Sequence, residues 1–357
     1  MRLRRSPFVA VLVLVAAALA VPPSAALAQP APGSPFAVGY NQAWIDQSFG
    51  RDLTASFDPA AVERLMRTVR DSGGSVVRLW AFEGRQKEGC VFQDRYTRTI
   101  GLEPGFLDHV AAVNDSARRH GVKVYWTVFD GNWFWDRGDR WAFIHYNILN
   151  DRFGETGDFE RAALGPFLDV LARYPDVVYA LDLMNEVEGS MHHWFWPDGW
   201  EGARRWVRRE AAFAHARLPW LRVTASAGWH TAVDDLIARR FSGLGLDFYD
   251  LHLYNDTGAI PRAASLRYLS ASTRRPIVLG EFGQAREARD DALQARTTRA
   301  FLANARAAGF AGALAWRLDD YRPYDPTWTH RHSYLIGGRP RPAVAEMRRF
   351  AASPGVR

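Results

Sequence analysis

Short apolar runs alternate with longer stretches of helical period along most of the chain. Eight runs read as strands: 36–41, 75–80, 122–129, 177–186, 221–228, 248–254, 276–282 and 311–318. They are short, rich in Val, Leu and aromatic residues, and apolar on both faces, as strands of a covered parallel sheet are. The segments between them carry helix signals. Asp58-Pro59 supplies a cap and a first helical residue, and the helix it opens runs into Gly73-Gly74. A second helix ends on basic residues and Gly121. Eight strand–helix units over some 315 residues predict a single (β/α)8 barrel spanning 36–352. A doubly wound open sheet would carry a glycine-rich phosphate turn after its first strand, and "GYNQAW" is not one.

The longest connections, 81–104, 130–157, 187–198 and 319–338, all follow strands. They are enlarged βα loops on the face where barrel enzymes place their sites. They hold Trp133, Trp135, Trp194, Trp196, Tyr321, Tyr324 and Trp328, an aromatic supply suited to ligand platforms.

The N-terminus follows another rule. Arg2, Arg4 and Arg5 precede an apolar run at 8–21, and "ALA" at 26–28 offers small residues before Gln29. This is the pattern of an export signal, so residues 1–28 are expected to be removed near Ala28-Gln29. Residues 29–35 form a Pro-rich linker, and the mature chain is expected outside the cytoplasm with no membrane anchor. Net charge is +6, of which three belong to the leader, leaving +3 scattered on helix faces. Nothing resembles a nucleic-acid footprint. Cys90 is the only cysteine, so no intrachain disulfide is possible. His192-His193 and His330, His332 lack the spacing of a closed metal site, and no cofactor is called for.

Chemistry concentrates at strand ends. The fourth strand finishes in Asn185-Glu186 and the seventh in Glu281, so two carboxylates face each other across the barrel mouth. Opposed carboxylates about 5 Å apart are what a retaining glycosidase uses. Arg78 in the second strand needs an anionic partner. His252 and Tyr254 alternate in the sixth strand, and Trp316 closes the eighth.

These motifs, "VVRLW", "LDLMNE", "DLHLY", "VLGEFG" and "LAWRL", resemble clan A of the glycoside hydrolases, and within it family 5, the cellulase and mannanase family. The resemblance implies Glu186 as acid/base, Glu281 as nucleophile, and Asn185 at the sugar 2-hydroxyl. It implies Arg78 and Tyr254 beside the nucleophile, His252 near the acid/base, and Trp316 as sugar platform, with Trp133, Trp80 and Asn41 as further substrate-binding or supporting residues. The acid should then lie in a drier, less positive place, and the nucleophile beside the cation. The third strand ends in Asp130, Asn132 and Trp133 where many relatives carry a His. Glu188 reads as a loop or subsite residue. The expectation is a secreted, monomeric, retaining hydrolase of a β-linked mannan or glucan. The same residues would serve a transglycosylase, and a catalytically idle polysaccharide-binding barrel is the other class.

Overall fold

The computed structural model describes residues 35–45, 52–82, 91–93, 98–132, 140–191, 196–286, 289–320 and 332–356. The leader and nearly all of the linker lie outside these residues. So do Cys90, Trp133, Trp135, His192-His193, Trp194, Tyr321, Tyr324, Trp328 and His330.

The eight strands are present. They are β1 (Ala37–Asn41), β2 (Val76–Trp80), β3 (Lys123–Asp130), β4 (Val178–Asn185), β5 in two pieces (Val223–Thr224 and Ser226–Ala227), β6 (Tyr249–Tyr254), β7 (Ile277–Gly283) and β8 (Gly312–Ala315). All neighbouring pairs are parallel, and β1 pairs with both β2 and β8. The ring meets at β5, whose first piece pairs with β4 and whose second pairs with β6. The sequence predicts one continuous fifth strand. It is broken because side chains take over part of its ladder. The Ser226 amide donates to Asp182 Oδ1, and the Ser226 hydroxyl accepts from the Glu186 amide.

A helix follows each strand: α1 (Pro59–Asp71), α2 (Phe106–His120), α3 (Gly165–Leu171), α4 (Trp200–Arg217), α5 (Ala232–Ile237), α6 (Ala263–Thr273), α7 (Asp291–Ala307) and α8 (Pro342–Ala351). The capping signals hold. Asp58 accepts from the Ala60 amide at the start of α1, and Gly121 terminates α2 at φ 67°. The inward stripe of α1 (Ala61, Val62, Leu65, Met66, Val69) is buried against the sheet. Such amphipathic faces form the main core between strands and helices. Among the described residues no helix is long and apolar enough to cross a membrane.

The barrel interior is filled in layers, as a closed eight-stranded sheet requires. At its base, Ala37, Val76, Tyr125, Ala180, Phe248, Val278 and Leu314 pack together. Two residues further along the strands the inward positions turn polar: Arg78, Asp182, Asp250 and the side-chain-less Gly280. All three side chains are fully buried. At the mouth, Ala43, Trp80 and Trp316 form an aromatic layer with Trp44 against it. Period-two alternation thus carries each strand from apolar floor to charged middle to open site.

Candidate active site

Arg78 is the hub. Its Nη1 donates to Glu281 Oε1 at 2.6 Å and to Asn41 Oδ1 at 3.1 Å. Its Nη2 donates to Asp182 Oδ2 at 2.6 Å and Asn185 Oδ1 at 2.7 Å. Burial opposes the charge, but Asp182 and Glu281 more than offset it, so the guanidinium stays charged. Asn41 uses its amide nitrogen on the Gly280 carbonyl at 2.8 Å, tying β1 to β7. It supports the site and does not line the cavity.

Glu281 is 3% exposed at the end of β7. Its second oxygen accepts from Tyr254 at 2.6 Å. Burial pushes its pKa up, His252 and Arg78 pull it down, and the Glu186 charge adds to the rise. The net direction is upward.

Glu186 sits just past β4 with φ 48°, a left-handed backbone that aims the carboxylate into the mouth. Gly228 leaves the space it fills, because a Cβ there would fall 2.3 Å from Glu186 Cδ. Glu186 Oε2 accepts from Asn132 Nδ2 at 2.8 Å, and Oε1 lies 3.0 Å from His252 Nδ1. Burial raises its pKa, but His252 and Asn132 outweigh that and the net direction is down. The sequence reading places the cation with Glu281 and leaves Glu186 in a less positive setting. The site differs, because His252 reaches both carboxylates: its Nδ1 is also 3.6 Å from Glu281 Oε1.

One oxygen of each glutamate and one His252 nitrogen lie within 4.8 Å of one another. Two carboxylates and an imidazole are a possible cation set, but these glutamates already accept from Arg78, Tyr254 and Asn132. The donor set is thus satisfied from within.

Asn185 is held at both ends, accepting from Arg78 and donating to Asp130 Oδ1 at 2.7 Å. Burial lifts the Asp130 carboxyl to about 7, against the Asn185 and Asn132 hydrogen bonds. Trp316 and Trp80 lie with ring centroids 5.9 Å apart, and Trp44 meets Trp80 edge-on at 5.4 Å. These three rings form one wall of a cavity of about 610 Å³ that exposes both glutamates, within the usual range for a ligand site.

The opposite wall holds a residue the sequence reading missed. Trp229 follows the end of β5 at φ 62°, lines the cavity, and donates from Nε1 to Asn132 Oδ1 at 2.8 Å. Its place after a strand-end Gly was the available signal. Gln284 and His332 also line the cavity, His332 edge-on to Tyr254. Asp182 and Asp250 were missed as well, although each lies two residues beyond an inward residue of its strand, Ala180 and Phe248.

Two expectations are corrected. Glu188 is neither a loop nor a subsite residue: it is 2% exposed, and its Oε2 accepts from the Gly228 amide at 2.9 Å, so it braces the β5 end from behind. Trp196 is no platform. It is buried against Gly202, and its Nε1 donates to Ser190 at 2.7 Å.

No family model matches the chain, and no curated protein matches it in sequence. Solved structures do match. The β-mannanase of the blue mussel Mytilus edulis superposes with a TM-score of 0.65 at 18% identity, covering 89% of this chain and 92% of that one. The β-1,4-D-mannanase of Cryptopygus antarcticus gives 0.67 at 16%, covering 89% and 90%. A GH5_18 protein of Streptomyces cattleya, solved with Manβ1-4GlcNAc, gives 0.66 at 16%, covering 90% and 83%. The chain therefore has the (β/α)8 fold of the family 5 mannanases.

Proposed function

We propose that the protein is a retaining β-glycoside hydrolase acting on a β-mannan-type chain. The observation that carries this reading is the carboxylate separation. Oxygens of Glu186 and Glu281 within 4.8 Å of each other suit direct attack by one carboxylate and leave no room for the intervening water of an inverting enzyme.

Glu281 is the nucleophile. Arg78 and Tyr254 each hold one of its oxygens, which keeps a buried carboxylate ionised and aimed. Glu186 gives a proton to the glycosidic oxygen as the glycosyl–Glu281 ester forms. It then takes a proton from the water that hydrolyses the ester. The sugar on the nucleophile side rests on Trp316, which adjoins β7 through β8. The departing sugar lies toward Trp229, which adjoins β4 through β5. Asn185, fixed by Arg78 and Asp130, presents an amide to the 2-hydroxyl. The β-mannan substrate rests on the mannanases sharing the fold. Secretion rests on the tripartite pattern of residues 1–28, with the mature chain beginning near Gln29.

The test is a panel of mannan, glucomannan, cellulose derivatives, β-1,3-glucan and xylan, with reducing ends and product lengths recorded. The anomer first formed is followed by proton NMR. Mannan cleavage with β-anomer released first is expected. Initial release of the α-anomer would overturn the retaining mechanism. Polymer binding without cleavage of any member would make the barrel a binding protein.

A further inference from the structure

Glu186 must carry a proton to act as the acid, yet Asn132 donates to one of its oxygens and His252 faces the other. His252 and Asp250 lie two residues apart on β6, so both point into the barrel. Asp250 is fully buried. Its Oδ2 accepts from the Tyr125 hydroxyl. Its Oδ1 lies 3.4 Å from His252 Nε2, and neither of these two atoms has a hydrogen-bond partner among the described residues. The opposite ring nitrogen faces Glu186 Oε1 at 3.0 Å and Glu281 Oε1 at 3.6 Å. β7 makes room for the Asp250 carboxylate, since a Cβ on Gly280 would sit 1.8 Å from Asp250 Oδ1.

A neutral imidazole carries one N–H and turns a lone pair outward at the other nitrogen. Here carboxylate oxygens face both nitrogens, an arrangement that fits a ring protonated at both.

We propose that His252 is the proton store of the acid/base and that Asp250 is the positioning residue that keeps it charged. This rests on the reading of Glu186 and Glu281 as a retaining pair. In the empty site the proton sits on His252 Nδ1 and Glu186 is ionised. When a sugar displaces water from Glu186, the carboxylate loses solvation and its proton affinity rises. The Nδ1–H bond then breaks as the Glu186 Oε1–H bond forms, with no change in the pair's total charge. Glu186 passes that proton to the leaving oxygen, regains one from the attacking water, and returns it to Nδ1 as product leaves.

Of the other groups around His252, Glu186 past β4 and Glu281 on β7 face Nδ1, Asp182 on β4 feels the ring's charge, and Arg78 on β2, Tyr125 on β3 and Tyr254 on β6 contact the surrounding carboxylates. Arg78 opposes the positive ring but is matched by Asp182 and Glu281. Titration runs the same way. Burial works against the imidazolium, but Glu281, Asp250 and Glu186 outweigh it and hold its pKa up to about 10.

The test is nitrogen NMR of the ligand-free chain, with the His252 signals assigned by their loss in His252→Asn. In the wild type both ring nitrogens should read as protonated at pH 7 and remain so to pH 8. In Asp250→Asn the midpoint should fall by a unit or more, a tenfold loss of proton affinity, and the basic limb of kcat/KM should fall with it. Tyr125→Phe keeps the carboxylate and removes a donor to it, so the midpoints should hold or rise and not fall, even if kcat drops; a fall like that of Asp250→Asn would overturn the assignment to the Asp250 charge. A His252 that is neutral at pH 7 in the wild type overturns the proposal. Midpoints unchanged in Asp250→Asn also overturn it. If that variant does not fold, the wild-type nitrogen shifts decide alone. Absence of activity on every β-glycoside would sink the hydrolase reading separately, leaving the Asp250–His252 pairing to the NMR result.

Discussion

Arg78 Nη2 lies 2.7 Å from Asn185 Oδ1, so the guanidinium that holds one glutamate also fixes the residue beside the other. One buried cation sets the geometry of both halves of the site. Lysine keeps the charge but cannot reproduce a planar fork toward four acceptors. Arg78→Lys should therefore lower kcat/KM on the best substrate by several orders of magnitude. Arg78→Met should also cost about 3–5 kcal/mol of stability, because it leaves Asp182 buried without its counter-charge. Urea unfolding at pH 7 measures this.

In the proposed mechanism Glu186→Ala removes the proton donor and leaves the nucleophile intact. Activity on mannan should fall by about 10²–10⁴-fold, the usual worth of a general acid. Aryl β-mannosides with good leaving groups should still form the ester, and azide should restore turnover as β-mannosyl azide. Glu281→Ala should lose both activities, with no rescue in the β-configuration. Equal losses on both substrate types in Glu186→Ala would reassign that residue.

In the proposed mechanism the acid limb of kcat/KM reports Glu281, which must be ionised to attack, and burial with the neighbouring Glu186 charge places its pKa above the ordinary carboxylate value. Activity should thus fall as pH drops through a midpoint above the usual 4.5. Tyr254 donates to the ionised form and lowers that pKa. Tyr254→Phe should therefore move the limb to higher pH. A shift to lower pH, read from initial rates between pH 4 and 8, would contradict the hydrogen-bond assignment.

Trp229 is linked to Glu186 through Asn132, on what the proposed mechanism makes the departing-sugar side. Trp229→Ala should cut kcat/KM on manno-oligosaccharides about 10–100-fold, the 1.5–3 kcal/mol of a lost large apolar contact. Aryl mannosides, which place no sugar there, should suffer less. A uniform loss across both would make Trp229 a scaffold for Asn132 alone.

Glu210 on α4 is fully buried, and neither of its oxygens has a hydrogen-bond partner among the described residues. Burial, then the Glu160 charge, raises its pKa well above the ordinary value. The folded state must therefore keep a proton that the unfolded chain sheds above about pH 4.5. Stability falls as pH rises through that range. Glu210→Gln abolishes this proton cost. It should gain about 1–3 kcal/mol at pH 7 and little at pH 4, read by thermal unfolding at both.

Much of this site was legible because strand ends are local. "LDLMNE" and "VLGEFG" place Glu186 and Glu281 where the barrel delivers them, and the alternation in "DLHLY" puts His252 and Tyr254 on one face. The depth of a residue along the barrel axis was not legible. Period two tells in from out but not how deep, so Asp182 and Asp250 were given no role from the sequence, although they form a charged middle layer. The broken β5 escaped for a related reason. Its ladder is partly replaced by Ser226 and Asp182 side chains, and no local pattern announces such a substitution. Glu188 and Trp196 followed strand four in what read as an open loop, but both side chains are buried.

Gly280 and Asp250 occupy a single side-chain volume, since a methyl group on one would overlap the carboxylate of the other. The two positions are therefore constrained jointly. A side chain gained at 280 requires one surrendered at 250, and with it the anion beneath His252. In redesigning this barrel the pair behaves as one choice with two settings, and the protonation habits of the mouth follow the setting chosen in the layer beneath it.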